Sequence, residues 1–330
     1  MTSLVAVTGA EGFVGSHLVE ALVASGARVR AMVQYNSFNS WGWLETLSPE
    51  VLASVDVQLG DVRDPGSVNA LMKGAETVYH LAALIAIPYS YQAPRSYIET
   101  NVSGTLNVLE AARQYETPRV VHTSTSEVYG SAQTVPISEN HPIHPQSPYA
   151  ASKAAADHLV GSYVLSYNLP VVTLRPFNTY GPRQSARAVI SNIISQLAAD
   201  APAVQVGDVT PTRDFTFVQD TAAAFLAVGT AGPEVLGRTL NAGSHKEISV
   251  GDLIQLISEV MNRPVRIEQT AERVRPAASE VRRLVCDNGA LCRLTSWRPR
   301  HSLRDGLRRT VDWFGNPRNL ERYKTGLYNV

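Results

Sequence analysis

Tyr149 and Lys153 stand four residues apart in "SPYAASKAAADHL", so on a helix they share one face. A lysine ammonium beside a phenol stabilises the phenolate and draws the tyrosine pKa down towards working pH, as a general base requires. A second polar group, Thr125, Ser126 and Glu127, closes an apolar run in "HTSTSEVYG" (122–130). Hydroxyls at such a point can hold a substrate oxygen and share its developing charge. The glutamate adds what a hydroxyl lacks, a group able to accept a proton near neutral pH. The plainer alternative is a glutamate that caps the next turn.

Upstream, "VTGAEGFVGSHL" joins a short apolar run to a helix-period segment. Gly9, Gly12 and Gly15 are spaced G-x-x-G-x-x-G, one residue looser than the usual dinucleotide fingerprint. Gly9 can take a turn conformation closed to other residues. Gly12 leaves room for a pyrophosphate above the helix N-terminus, and Gly15 lets helix and strand pack closely. A nicotinamide dinucleotide is therefore expected, with Lys153 able to hold its ribose. The end of the second strand decides its form: an acid meets the 2′-OH of NAD, an arginine the 2′-phosphate of NADP. "MVQYNSFNSW" (32–41) offers neither, and Asn36 and Ser37 suit either ribose. Lack of a cation points to NAD and leaves NADP open. Asp61 and Val62 in "GDVRD" fall where the adenine would be framed.

These residues need a scaffold. Leu4–Thr8, Arg28–Val33, Val55–Leu59, Thr77–Leu81, Arg119–Thr123 and the stretch "LPVVTLRPF" (169–177) are short and β-branched, the pattern of strands buried on both faces. Amphipathic segments Gly15–Ser25, Pro65–Lys73, Ile98–Gln114 and Tyr149–Tyr167 lie between them. Strand and helix in alternation predict an α/β fold, a Rossmann-like doubly wound parallel sheet. The rhythm changes after Gly181. Residues 1–180 and 213–247 are assigned to the dinucleotide domain, and 181–212 with 248–330 to a smaller mixed α/β substrate-binding lobe.

The bulk numbers exclude several classes. The 330 residues are 44% hydrophobic with formal net charge +0, which argues against a nucleic-acid binder or a protein held on anionic membrane. Cys286 and Cys292 are too few for a disulfide framework and lack a zinc spacing, so reduced thiols and no metal are expected. "MTSLVAVTGA" has no basic leader, and "LAALIAIP" is far short of the ~20 residues of a membrane span. A cytoplasmic protein is expected. The arginines of the last sixty residues read mostly as a solvated helical face.

Taken in order, "TGAEGFVGSHL", "HLAA" (80–83), "NVSGT" (101–105), "TSTSEVYG", Tyr149-x-x-x-Lys153 and "RPFNTYGPR" (175–183) resemble the extended short-chain dehydrogenase/reductase family of nucleotide-sugar enzymes. More narrowly, "QYNSFNSWGWLE", "ALIAIPYSY", "GPRQSARAVI" and "TPTRDF" look like its legionaminic-acid-type N-acetylglucosamine 4,6-dehydratases. The resemblance implies that Phe13, Val14, Leu81, Ala82 and Ala83 line the cofactor. It also implies that Asn178 and Arg213 meet the substrate diphosphate, Arg275 and Glu280 the phosphate and nucleotide ribose, and Arg187 and Val189 the base. An ion pair with Asp214 or Asp208 is the alternative for Arg213. His141 and His144 read as loop residues. A homodimer through a four-helix bundle of residues 98–113 and 149–167 is a further implication.

In that family the tyrosine takes the proton of the sugar 4-OH while hydride leaves C4. Epimerases return the hydride after the sugar rotates. A 4,6-dehydratase must also remove the C5 proton and expel the 6-OH. Glu127 suits the first of these tasks, and Ser126 can relay a proton to the leaving oxygen. The Ser126-Glu127 pair departs from the Asp-Glu of glucose-type dehydratases and is similar to the GDP-mannose pattern. The implied substrate is a UDP- or GDP-linked N-acetylhexosamine. Rival readings are a 4-epimerase, a UDP-glucuronate decarboxylase, which also resembles the Thr-Ser-Glu run, and a redox sensor that needs no acid–base set.

Overall fold

The computed structural model describes residues 3–274 and 276–324. Six strands follow the expected order: β1 (Leu4–Thr8), β2 (Arg28–Gln34), β3 (Val55–Gly60), β4 (Thr77–His80), β5 (Arg119–Thr123) and β6 (Val171–Pro176). A seventh strand, Thr239–Ala242, pairs with β6. Its four residues, one of them Asn241, carry too weak a period to be seen in the sequence. The sheet is parallel in the order β3-β2-β1-β4-β5-β6 and then Thr239–Ala242, a doubly wound Rossmann-like sheet. Order reverses between β1 and β4, so the crevice beyond their carboxyl ends is where a ligand belongs.

Apolar layers cover both faces. Leu18, Leu22, Val228 and Leu240 pack on one side, Val68, Leu71, Val108 and Val160 on the other. A third core, built on Ile190, Ile194, Phe215, Phe217, Leu253, Ile257 and Phe314, holds the lobe. Phe215–Phe217 pairs with Asn178–Tyr180, and Phe215, Phe217 and Tyr180 all lie in this third core. The chain returns to the sheet only with the helix Val218–Thr230, whose Phe225 lies in the sheet core. Leu291 and Trp297 also pack in the sheet core rather than the lobe.

The lobe is fastened to the first helix, α1 (Phe13–Ala24). His17 Nε2 lies 3.1 Å from the Pro182 carbonyl, and Arg183 pairs with Glu20 at 2.7 Å. Burial, with Arg183 nearby, draws the His17 pKa down to about 4, so the ring docks as a neutral group. Several arginines of the last fifty residues make surface ion pairs, Arg283 with Glu247 and Arg304 with Glu259 among them. Among the described residues no helix is long and apolar enough to cross a membrane. Cys286 is buried and Cys292 partly so, both as free thiols.

Candidate active site

The glycine loop shows why each glycine stands where it does. Gly9 has φ +68°, and a Cβ there would lie 2.8 Å from the Ala82 backbone. A Cβ on Gly15 would meet the Gly9 carbonyl at 2.1 Å, so the close packing of the helix on its own glycine loop, rather than on a strand, forbids a side chain. Gly12 is different: its Cβ would meet only that carbonyl, at 3.3 Å. The remaining room opens over α1, whose N-cap Gly12 makes no side-chain cap bond. First-turn N–H groups and the helix dipole there favour an anion such as a pyrophosphate. Phe13 packs against the lobe core and Val14 against the sheet core, so the contribution of each to such a cradle is its backbone.

Across the loop, Thr8 Oγ1 accepts from the backbone N–H groups of Leu81 and Ala82, both at 3.1 Å, and Ala83 continues the same wall. Asn101 fixes the far end. Its Nδ2 donates to the Leu84 carbonyl and to Ser152 Oγ, each at 2.9 Å, and its Oδ1 accepts from Leu84 N–H at 2.8 Å. Ser152 in turn donates to the Tyr149 carbonyl. Asn101 lies in a π-helical turn, Ile98–Ser103, which opens the helix expected over 98–114. Such turns often mark functional positions. The cofactor wall and the helix that carries the tyrosine are thus one hydrogen-bonded unit.

That helix, Pro148–Tyr167, starts where Ser147 Oγ caps the Ala150 N–H and ends at Asn168 in a left-handed conformation. Tyr149 is buried, edge-on to Tyr97 at 6.2 Å. Lys153 donates to the Thr123 carbonyl at 2.6 Å. The expectation that lysine pulls the tyrosine pKa down fails here. Burial holds the Tyr149 phenol well above its ordinary value; the Thr125 hydroxyl opposes the rise and the Glu127 charge adds to it. Burial also draws Lys153 down to about 8, against the pull of Asp157. The ammonium faces a carbonyl, so its field acts mainly there.

Glu127 lies in a single 3-10 turn, Ser126–Tyr129, that follows β5. The cap of this turn is Thr125, whose Oγ1 accepts from the Glu127 N–H at 3.2 Å. The Glu127 carboxylate is half-buried and takes no donor among the described residues. Its charge nevertheless bears on Tyr149. Thr125, Glu127 and Tyr149 are therefore brought together, and Ser126 is buried within the turn. His141 instead braces its loop: Nε2 accepts from Gln133 N–H at 2.9 Å.

Beneath the turn runs a network that the sequence reading missed. Asp157 accepts from Ser124 Oγ at 2.7 Å and from Arg175 at 2.8 Å, and His122 Nε2 lies 3.2 Å away. Arg175 also donates to the Tyr129 hydroxyl, which donates to Asn241 Oδ1 on the seventh strand. Asp157 falls four residues after Lys153, so the same helical spacing could have found it. Burial raises its pKa, but His122, Arg175 and Ser124 outweigh that and hold it at about 2. Asp157→Asn should destabilise the fold by about 3–5 kcal/mol in urea unfolding, because it leaves Arg175 buried without its counter-charge. The folded pKa lies below the unfolded value, so this contribution is complete above that value. It is lost as pH falls from about 4 towards about 2. The gap between variant and wild type should narrow over that window, by about 2 kcal/mol.

The remaining expected residues divide. Asn178 leaves its Nδ2 buried with no acceptor among the described residues. Arg213 pairs with Glu280 at 2.7 Å rather than with Asp214 or Asp208, so two residues assigned separately to substrate form one charge pair. Asp214 is taken by Ser244, His245 and Cys286. Arg187 is exposed, but its charge reaches Tyr97, and Val189 opens the lobe helix Val189–Ala198. Arg275 lies outside the described residues. Asp61 grips Arg63 at 2.6 Å, and Val62 packs beneath Gly104 while its carbonyl accepts from Asn107. Asn36 spends its amide within its own loop, donating to Gln34 and Ser40 carbonyls and accepting from Phe38 and Ser40 N–H groups. It is not free for a ribose, and Ser37 beside it is exposed.

Comparison with known proteins gives this geometry a family. The sequence profile described as GDP-mannose 4,6 dehydratase matches residues 6–310. A UDP-glucose 4-epimerase of Mycolicibacterium smegmatis is 34% identical, with 94% of this chain and 98% of the relative covered. A dTDP-glucose 4,6-dehydratase of Xanthomonas campestris pv. campestris is 33% identical over 93% and 92%. The solved structure of a dTDP-glucose 4,6-dehydratase double mutant from Streptomyces venezuelae, with NAD bound, superposes with a TM-score of 0.84. It is 28% identical and covers 97% of this chain and 98% of its own. The chain belongs to the extended short-chain dehydrogenase/reductase family of nucleotide-sugar dehydratases and epimerases, with a domain of the GDP-mannose 4,6-dehydratase type.

Proposed function

We propose that this chain is a nucleotide-sugar 4,6-dehydratase that converts a UDP- or GDP-linked N-acetylhexosamine to its 4-keto-6-deoxy form. The observation that carries the reading is the Glu127 carboxylate. It takes no donor among the described residues, the turn it sits in is capped by Thr125, and its charge acts on Tyr149. A glutamate kept there for the fold would be tied to something.

NAD fits the loop: Gly12 leaves the space, the first turn of α1 supplies donors, and the Thr8–Leu81–Ala82 latch forms the wall. NADP lacks a cation to meet its phosphate at Asn36 or Ser37. Bound NAD supplies the hydride acceptor at C4 and the donor at C6. Tyr149, its phenol held up by burial and lowered by the positive charge of the oxidised nicotinamide, takes the 4-OH proton, and Thr125 donates to the same oxygen. Lys153 stands one turn further along, placed to hold the cofactor ribose. Glu127 then takes the C5 proton, which the C4 ketone has made acidic. Ser126 relays a proton from Glu127 or water to the departing 6-OH, and Glu127 returns a solvent-exchanged proton to C5 as hydride reaches C6. Asn178, whose Nδ2 has no acceptor among the described residues, suits the diphosphate, and the Arg213–Glu280 pair, with Arg275, Arg187 and Val189, the nucleotide. The same reading keeps the protein cytoplasmic. It makes the protein a homodimer through helices at 98–113 and 149–167, where Ile98 and Leu106 stand exposed.

A 4-epimerase is the second reading, favoured by the epimerase among the relatives. Incubation with a panel of UDP- and GDP-sugars, read by mass, separates them. Loss of water from an N-acetylhexosamine substrate is expected; an isobaric product means epimerisation, and loss of carbon dioxide a glucuronate decarboxylase.

A further inference from the structure

We propose that Glu11, inside the glycine loop, supplies the carboxylate that receives the adenosine ribose hydroxyls and turns away a 2′-phosphate. In the usual dinucleotide fold an acid at the end of the second strand does this. The inference rests on the NAD reading given above.

β2 ends here in Gln34, followed by Tyr35 and Asn36, and the Asn36 amide is consumed by its own loop. No acid follows the strand. Glu11 reaches the same point from the other side. Its Oε1 accepts from the Gln34 N–H at 3.0 Å, which places the carboxylate at the tip of β2. Its backbone is held as well: the Glu11 carbonyl accepts from Trp43 N–H at 3.0 Å, and a Cβ on Gly42 would lie 2.8 Å from it. The side chain is thus fixed between the glycine loop and the turn after β2, one residue before the Gly12 cradle.

Its second oxygen is the telling feature. Glu11 Oε2 is buried and takes no hydrogen bond among the described residues. Burial accordingly raises the carboxyl pKa, against the Gln34 N–H that lowers it. An unpaired buried carboxylate oxygen is costly, and a donor placed on it removes that cost. A ribose diol offers O–H donors of the required kind. A 2′-phosphate would bring negative charge against the same carboxylate, so the arrangement selects NAD.

The competing explanation is a glutamate that only ties the turn to the glycine loop. Binding of NAD and of NADP to the stripped wild type, Glu11→Gln and Glu11→Ala by calorimetry tells the two apart, with thermal unfolding of each protein measured alone. The wild type should prefer NAD. Both variants should lose about ten-fold or more in NAD affinity while NADP affinity holds or rises, since a hydrogen bond to a charged group is worth about that factor. Glu11→Gln should keep close to the wild-type melting temperature. An unchanged NAD-to-NADP ratio in Glu11→Gln overturns the proposal, as does an equal loss for both dinucleotides that tracks a fall in melting temperature. A wild type that binds neither dinucleotide overturns the cofactor reading itself, and with it this one.

Discussion

Tyr149→Phe should lower C4 oxidation by at least ~10²–10⁴, the range an acid–base group supplies, while the protein stays folded. The phenyl ring keeps the edge-on contact with Tyr97 and the buried position, so only the hydroxyl is lost. That hydroxyl is where the Thr125 bond and the Glu127 charge converge. Lys153→Met should fall comparably, since it removes the ammonium one helical turn away. Single-turnover reduction of the bound nicotinamide reads both variants, and circular dichroism checks the fold. Wild-type turnover in Tyr149→Phe would remove the tyrosine from its assigned role.

Glu127→Gln is expected to split the reaction. Glutamine has the size of glutamate, and the Thr125 cap binds only the backbone N–H of residue 127, so the turn should persist. The amide cannot accept the C5 proton. Elimination should drop by ~10²–10⁴ or more, while oxidation at C4, which needs Tyr149, Lys153 and Thr125, survives. Reduced nicotinamide and the 4-keto sugar should accumulate. The nearby negative charge that raises the Tyr149 pKa is also gone, so the first step should be no slower at neutral pH. Normal dehydration by this variant would make the glutamate a structural residue.

The sheet was legible because most of its first six strands are short apolar, β-branched runs and its glycines fall at one obligatory turn. β3, at the sheet edge, leaves Asp56 and Leu59 exposed rather than being buried on both faces. The tyrosine–lysine pair was legible because helical spacing puts i and i+4 together. What escaped reading depends on distance in sequence. Asp157 shares the helical spacing of Lys153, but its partners His122, Ser124 and Arg175 come from β5, the residue after it and β6, and no local pattern announces that grouping. Burial of the Tyr149 phenol and the Lys153 bond to the Thr123 carbonyl, thirty residues away, are tertiary facts, so the spacing alone misses the direction of the tyrosine shift. Arg213 and Glu280 show the same limit: each charge was visible, their pairing was not. Asn36 shows a local limit as well, since a short amide after a strand hydrogen-bonds its own turn.

The central claim is that Glu127 moves a proton at C5 within a dehydration. Wild-type enzyme turning over a nucleotide-linked N-acetylhexosamine in D₂O tests it most directly, with the product read by mass and NMR. The account predicts a 4-keto-6-deoxy product that has lost one water, carries solvent deuterium at C5, and holds at C6 the hydrogen that began on C4. A product of unchanged mass, or a dehydrated product with no deuterium at C5, would contradict it.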